Sequence, residues 1–354
     1  MYQGRTLPEL ARELDRQQAL KRDYIIPSDR MVFTRTDTPL LECFDTGVDA
    51  SFGPPAYRFG VADLFHRQLG ASLGIPAKYY DKMRAEAPAL LADNTNHWLA
   101  ARDTRHTIRT LDGDARAFLS DRYRRIDHLD ILRAVLPVLQ ELDGSGVESC
   151  EVTDERMYLK VVNRRLEAEV ATGDIVQAGI MISNSEVGLG SVTVMPLVYR
   201  LVCRNGMTVN ALGARKYHIG ATNEETWELL SDNTRAADNT ALLMKVADIV
   251  RTCVDEAKFA IVVGKLREAA GAKITGEVSR VVELTASNFG LVQSEGDAIL
   301  QHLILGGDLS LLGLGNAVTR MSQDVGDYDR ASRLETVGWE VVTMPPARWN
   351  AINA

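Results

Sequence analysis

Residues 105–120, RHTIRTLDGDARAFLS, read as a β-hairpin, and this reading sets the fold class for the rest of the chain. Asp112-Gly113 is a dipeptide favoured in type I′ turns. If it forms a two-residue turn, Leu111 pairs with Asp114, Thr110 with Ala115 and Arg109 with Arg116. One face then carries His106, Ile108, Thr110, Ala115, Ala117 and Leu119, mostly apolar and turned toward a core. The other carries Arg105, Arg109, Arg116 and Phe118. Arg109 opposite Arg116 is a like-charge pair, unfavourable unless an anion neutralises it. Asp114 is one candidate for that anion. A bound phosphate is the other, because guanidinium pairs suit bidentate recognition. Arg122, Arg124 and Arg125 follow closely in SDRYRRID.

A second stretch, RLVCRNGMTV at 200–209, repeats the pattern with Asn205-Gly206 as its turn. Cys203 then lies across from Thr208 on a face shared with Met195, Leu197, Tyr199 and Leu201. Arg204 lies across from Met207, and Arg200 and Arg204 share the other face. A thiol on an apolar face is expected to be an inert core residue. Residues 194–220 hold Arg200, Arg204, Arg215 and Lys216 with no acid, and residues 156–165 hold Arg156, Lys160, Arg164 and Arg165 with no acid. Tyr123, Tyr158, Tyr199 and Tyr217 are interleaved with these cations, and His218 ends the second stretch. Cations that track a backbone beside aromatic platforms are the ingredients of a single-strand site, although a charge run alone is usually a solvated face.

Outward from the hairpins the texture is helical. VADLFHRQLGASLG at 61–74 spaces apolar residues helically and stops on Gly74, and two further helices open at Pro76 and Pro88. DHLDILRAVLPVLQELDG is a helix whose leading Asp127 and Asp130 suit the positive end of its dipole. Thr222 and Glu225 form a capping box, and Trp227, Leu230, Ala237, Ala241, Met244, Ala247 and Val250 continue as one amphipathic helix. EVSRVVELTASNFG ends on Gly290, with two more helices beyond it. The expected fold is therefore α+β: an antiparallel, hairpin-rich sheet with N-terminal helices and a helical C-terminal third. The expected organisation is an N-terminal arm with helices over 1–104, a β-rich region with one helix over 105–221 and a helical region over 222–354, which would also suit one continuous domain.

The chain of 354 residues is 45% apolar and 25% charged, with a net charge of −8. That balance argues against a uniformly basic nucleic-acid coat but permits a local basic groove. Cys43, Cys150, Cys203 and Cys253 are far apart and the six histidines show no metal-ligand spacing, so neither a zinc site nor a cofactor is expected. P-loop, GxSxG and HExxH motifs are absent. The charged N-terminus has no apolar core of a signal peptide, and no uncharged run reaches membrane-spanning length, so a cytoplasmic location is expected.

LGIPAKYYDKM…LLADNTNHWLA, RAFLSDRYRRIDHLDIL, YRLVCRNGMTV…ARKYHIG and GLGNAVTRMSQDV…YDRASRLETVGWEVV together resemble the phage/plasmid-like proteins of domain-of-unknown-function family 932. The resemblance runs from about residue 55 to the end. Its most recognisable part is Cys203, Asn205, Gly206 and Met207 with Arg215 and His218 downstream. It implies a mobile-element setting near DNA maintenance and assigns no activity. In broad plan the chain is also similar to phage single-strand annealing proteins, a fold-level analogy. The expectation is a single-stranded DNA-binding or annealing protein that forms homo-oligomers. Arg105, Arg109, Arg116, Arg122, Arg200, Arg204, Arg215, Lys216 and His218 would line the site, with Phe118 or Tyr217 stacking on bases. The alternatives are an enzyme on nucleic acid or nucleotide that uses His218, and a structural or partner-binding phage protein whose arginines only solvate a sheet.

Overall fold

Helix α1, Leu7–Leu20, begins where Thr6 and Glu9 form a capping box, the Thr6 amide donating to Glu9 at 2.8 Å. It buries Leu10 and Leu14 and delivers the chain to strand β1, Arg22–Pro27. The computed structural model describes residues 1–45, 53–190, 192–202, 204–209 and 231–354. The short strands β2 (Met31–Phe33), β3 (Leu41–Cys43) and β4 (Tyr57–Val61) follow. The sequence reading places only an arm and helices in this region. Three helices come next: α2 (Asp63–Leu73), α3 (Ala77–Glu86) and α4 (Pro88–Ala100), with Gly74 in the left-handed region ending α2.

The hairpin at 105–120 forms strands β5 (Arg105–Leu111) and β6 (Asp114–Ser120) around Asp112 and Gly113, both at positive φ. It joins the N-terminal strands in a six-stranded sheet of order β1-β5-β6-β4-β3-β2, antiparallel except for β4 with β6. Phe33, Phe59, Ile108 and Phe118 pack there with Phe65, Leu69 and Leu99 of α2 and α4. The Asn96 side chain bonds both the amide and the carbonyl of Phe33, at 2.7 and 2.9 Å, and so occupies the exposed edge of β2.

Helix α5 (His128–Glu141) leads into the second sheet, a five-stranded antiparallel meander. Its strands are β7 (Ser145–Val152), β8 (Met157–Ala171), β9 (Asp174–Asn184), β10 (Thr193–Arg200) and β11 (Asn205–Thr208). The described residues from 231 onward are helical: α6 (Asp232–Cys253), α7 (Glu256–Gly271), α8 (Val278–Phe289), α9 (Gln293–Gly306), α10 (Leu311–Met321), α11 (Tyr328–Val342) and α12 (Pro346–Ile352). The fold is α+β, with helices at the N-terminus and across the C-terminal third. No described helix is long and apolar enough to cross a membrane.

Both hairpins depart from their expected register. In the first, Arg109 faces Ala117 and Ile108 faces Phe118, because a bulge makes Arg116 the extra residue. The Arg109–Arg116 pair therefore does not form. Ile108 and Phe118 share the core face instead of lying on opposite ones. In the second, Arg200 pairs with Asn205, so the connection runs from Leu201 to Arg204 and Asn205-Gly206 lies inside β11. Thr208 faces Leu197 and Met207 faces Val198, and Arg204, not the Asn-Gly pair, takes the positive φ, at 48°. Cys203 and the Thr222–Glu225 capping box lie outside the described residues. The long helix that the sequence begins at Thr222 is described from the Ser231 cap, whose hydroxyl accepts from the Thr234 amide.

Candidate functional site: an ionic hub and the cleft beside it

Six charged side chains meet where the two sheets approach each other. Arg109 on β5 is 1% exposed, and its guanidinium reaches Asp23 of β1 at 2.7 Å and Asp127 at 2.8 Å. It also donates to the Glu186 carbonyl at 2.8 Å. Lys21, at the end of α1, contacts Asp127 at 2.7 Å and Glu186 at 3.2 Å. Arg116 pairs with the other Glu186 oxygen, because the bulge turns its side chain toward the β9–β10 connection. The Glu186 carboxylate also accepts from the His128 amide at 2.6 Å, serving one of the free donors at the start of α5.

Burial alone would raise the Glu186 carboxyl, but Arg116, Lys21 and Arg109 reverse that and hold it below the usual carboxylate range. Burial pushes the neighbouring His128 imidazole down to about 4, which keeps it neutral at physiological pH. Its Nδ1 sits 3.0 Å from the Asn184 amide nitrogen.

Of the residues expected to bind an anion, Arg109 and Arg116 lie in this hub. Phe118 is a core residue: its ring meets Phe65 edge-on at 5.5 Å and stacks on His106 at 4.0 Å. Arg105 is exposed at the start of β5, opposite Pro27, and Arg122 is exposed just after β6. Arg200 and Arg204 belong to the other sheet, so the two hairpins do not bring their arginines onto one face. Arg200 pairs with Asp174, whereas the exposed Arg204 gives its carbonyl to the Met1 nitrogen and the Gln323 amide. Arg215, Lys216, Tyr217 and His218 lie outside the described residues.

Each cation of the acid-free stretch at 156–165 meets a partner within the chain, a backbone carbonyl for Arg156 and a carboxylate for the other three. Arg156 donates to the Leu189 carbonyl, Arg164 is 3.9 Å from Glu148, and Arg165 pairs with Asp143. Lys160 and Glu335 form a wholly buried pair at 2.7 Å, with the ammonium 4.6 Å from the centre of the Tyr328 ring. Tyr158 and Tyr199 are buried, their hydroxyls donating to Asp329 at 2.7 Å and Glu148 at 3.0 Å. Burial pushes the thiols of Cys43, Cys150 and Cys253 up to about 12, 11 and 11, so none supplies a thiolate at neutral pH. Among the described residues no group of three or more His, Cys, Asp or Glu is placed to hold a metal ion.

Sequence reasoning missed the carboxylates of the hub. Asp127 looks sufficiently used as a helix-start residue, and Asp23 and Glu186 are 86 and 70 residues from the arginines they meet. No local signal joins them.

Beside the hub opens a cleft of about 620 Å³. Asp63, Asp112, Asp114, Asp154, Glu155, Asp327 and Asp329 line it, with Arg67 and Arg116 as the cations among the described residues. Arg84, Arg16 and Arg67 pair with Asp63, Asp112 and Glu155. Asp114, Asp154, Asp327 and Asp329 are outside any ion pair among the described residues. Burial raises the Asp329 carboxyl above its ordinary value.

No curated protein and no solved structure matches the chain. The motifs near residue 76 and near residue 315 fall outside the one stretch that a family model covers. That stretch, residues 117–222, takes in the end of the first hairpin, the Glu186 connection and the Asn205-Gly206 strand, and it matches the model of the family described as Domain of unknown function (DUF932).

Proposed function

We propose that the protein acts by binding a partner, and that the cleft beside the hub receives a positively charged segment of it. One observation carries this reading. The cations that the sequence offers to a polyanion face carboxylates of the chain itself, at Arg109, Arg116, Lys160 and Arg200, while Asp114, Asp154, Asp327 and Asp329 of the cleft meet no cation among the described residues. Asp327 and Asp329 accept from uncharged donors, the Arg330 amide and the Tyr158 hydroxyl. Opposite charge across a cleft speeds encounter and selects partners more than it adds raw affinity, so binding should weaken with salt. The test is titration of the full chain at low ionic strength with a lysine-rich peptide and with single-stranded DNA. The peptide binds, and Asp154→Asn together with Asp327→Asn weakens it about 10-fold, on the order of 1.4 kcal/mol. A peptide that does not bind, or that binds the double variant equally well, overturns the reading.

A second reading, binding or annealing of single-stranded DNA by an oligomer in mobile-element DNA metabolism, draws on Arg105 and Arg122. Both are exposed, near the open end of the first hairpin. Each phosphate contact adds about 0.7 to the slope of log affinity against log salt for single strands. Arg105→Ala with Arg122→Ala should therefore flatten the slope by about 1.4. Light scattering with and without DNA reads the assembly that annealing would use. A chain that ignores DNA at low salt leaves the partner reading alone.

A further inference from the structure

Two groups of helices cover the same face of the five-stranded sheet and leave a gap where they meet. Leu242, Val246 and Val250 of α6 pack with Ile180, Ile182 and Val194. Phe259, Val262 and Val263 of α7 pack with Val176, Ala178 and Val198. The chain turns from α6 to α7 through Val254 and Asp255, and a cavity of about 100 Å³ remains beneath that turn. Its floor is Ala178, Pro196 and Val198, and its roof is Ile249 and Phe259. Ala178 ends at its Cβ and Pro196 is tied back into a ring, so neither reaches far across the seam.

At the rim, the Lys258 ammonium donates to the Thr252 carbonyl at 3.1 Å. The Asp255 carboxylate accepts from the Lys258 amide at 2.8 Å. These polar groups are thus engaged with backbone around the opening. Cys253 in the wall presents a neutral thiol, which behaves as apolar surface.

We propose that this cavity is a binding site for a small uncharged apolar molecule, up to about the size of a benzene ring. An apolar cavity of roughly 150 Å³ stays dry and takes up benzene. A ligand entering such a space gains dispersion contacts that the facing walls cannot make with each other. A charged ligand would lose its hydration with no counter-charge on the floor or roof.

The experiment is thermal unfolding of the full chain with and without benzene. Benzene raises the wild-type midpoint by about 2 °C, through mass action on the folded state. Ala178→Leu, which fills the floor, abolishes the rise, and Val198→Ala, which deepens it, enlarges the rise. Absence of a rise in the wild type, or an equal rise in Ala178→Leu, overturns the site. If Ala178→Leu does not fold, Val198→Ala decides: a rise no larger than that of the wild type overturns the proposal.

Discussion

Arg109 and Arg105 stand four residues apart on one strand, yet they have opposite surroundings. Arg109 is locked among Asp23, Asp127 and the Glu186 carbonyl, whereas Arg105 stands in solvent. Removing one partner of a buried ion pair costs about 3–5 kcal/mol, because the other charge is left buried and uncompensated. Arg109→Met should therefore destabilise the fold by about 3 kcal/mol or more. Arg105→Ala should stay within about 0.5 kcal/mol. Urea unfolding of the two variants measures both, and equal losses would mean that Arg109 is not neutralised internally. Lys160 and Glu335 allow the complementary experiment, since both are fully buried and neither makes a well-aligned hydrogen bond to the other. Lys160→Met alone should cost about 3–5 kcal/mol by stranding Glu335. Adding Glu335→Leu should recover most of that loss, because apolar replacement of a whole buried pair is often neutral or stabilising. A double variant as unstable as the single one would show that the pair itself holds α11 on the sheet.

At the scale of elements, two α-helices approach through glycines. A Cβ on Gly338 of α11 would stand 2.2 Å from Thr319 Cγ2 and 3.0 Å from the Gly315 carbonyl of α10. Gly338→Ala should therefore push the helices apart and cost about 1–3 kcal/mol, read as a lower urea midpoint at unchanged slope. The same competition between local signal and tertiary demand explains what the sequence made legible. Asp112-Gly113 was readable because its backbone meets no rival demand: both positive φ values serve the turn, and Asp112 reaches Arg16 through its side chain alone. Asn205-Gly206 carries the same signal but has another use. The buried Asn205 amide donates to Thr319, and a Cβ on Gly206 would come within 2.9 Å of Met1 and 3.2 Å of Leu197. Close packing thus moves the turn back to Leu201–Arg204. The bulge at Arg116 was equally unreadable, since strand parity alone cannot count an inserted residue. Strands β2 and β3, three residues each, are too short for any alternation to register. The long helices, with Gly74 and Gly290 as left-handed caps, were legible because period and stop signal agree.

For the whole molecule, the hub and the cores together set how stability follows pH. His128 lies in the hub between the sheets, and His66 lies in the N-terminal layer with its Nδ1 2.8 Å from the Tyr80 hydroxyl. Burial pushes both imidazoles down to about 4 from 6.5. From these two groups the unfolded chain binds up to two more protons than the folded one between those values, and the Met1 amine, pushed down to about 5 from 8.0 by burial, and the His106 imidazole, also lowered by burial, act in the same sense. The stability that the imidazoles contribute is fully present above pH 6.5 and is lost as pH falls toward 4, while that of the Met1 amine begins to fall already below pH 8. One proton corresponds to about 1.4 kcal/mol per pH unit, so the two sites together approach about 2.7 kcal/mol per unit between pH 6 and 5. Glu186, held below the usual carboxylate range, adds its own loss only at lower pH. Asp130 and Asp329, raised by burial, act in the opposite sense nearer the carboxylate range. Urea unfolding at pH 7, 6 and 5 should give this falling profile, and His66→Phe should reduce its slope by up to about 1.4 kcal/mol per pH unit, whatever it does to absolute stability. A profile flat between pH 6 and 5 would mean that both imidazoles take up protons in the folded chain, and that the hub admits water to His128.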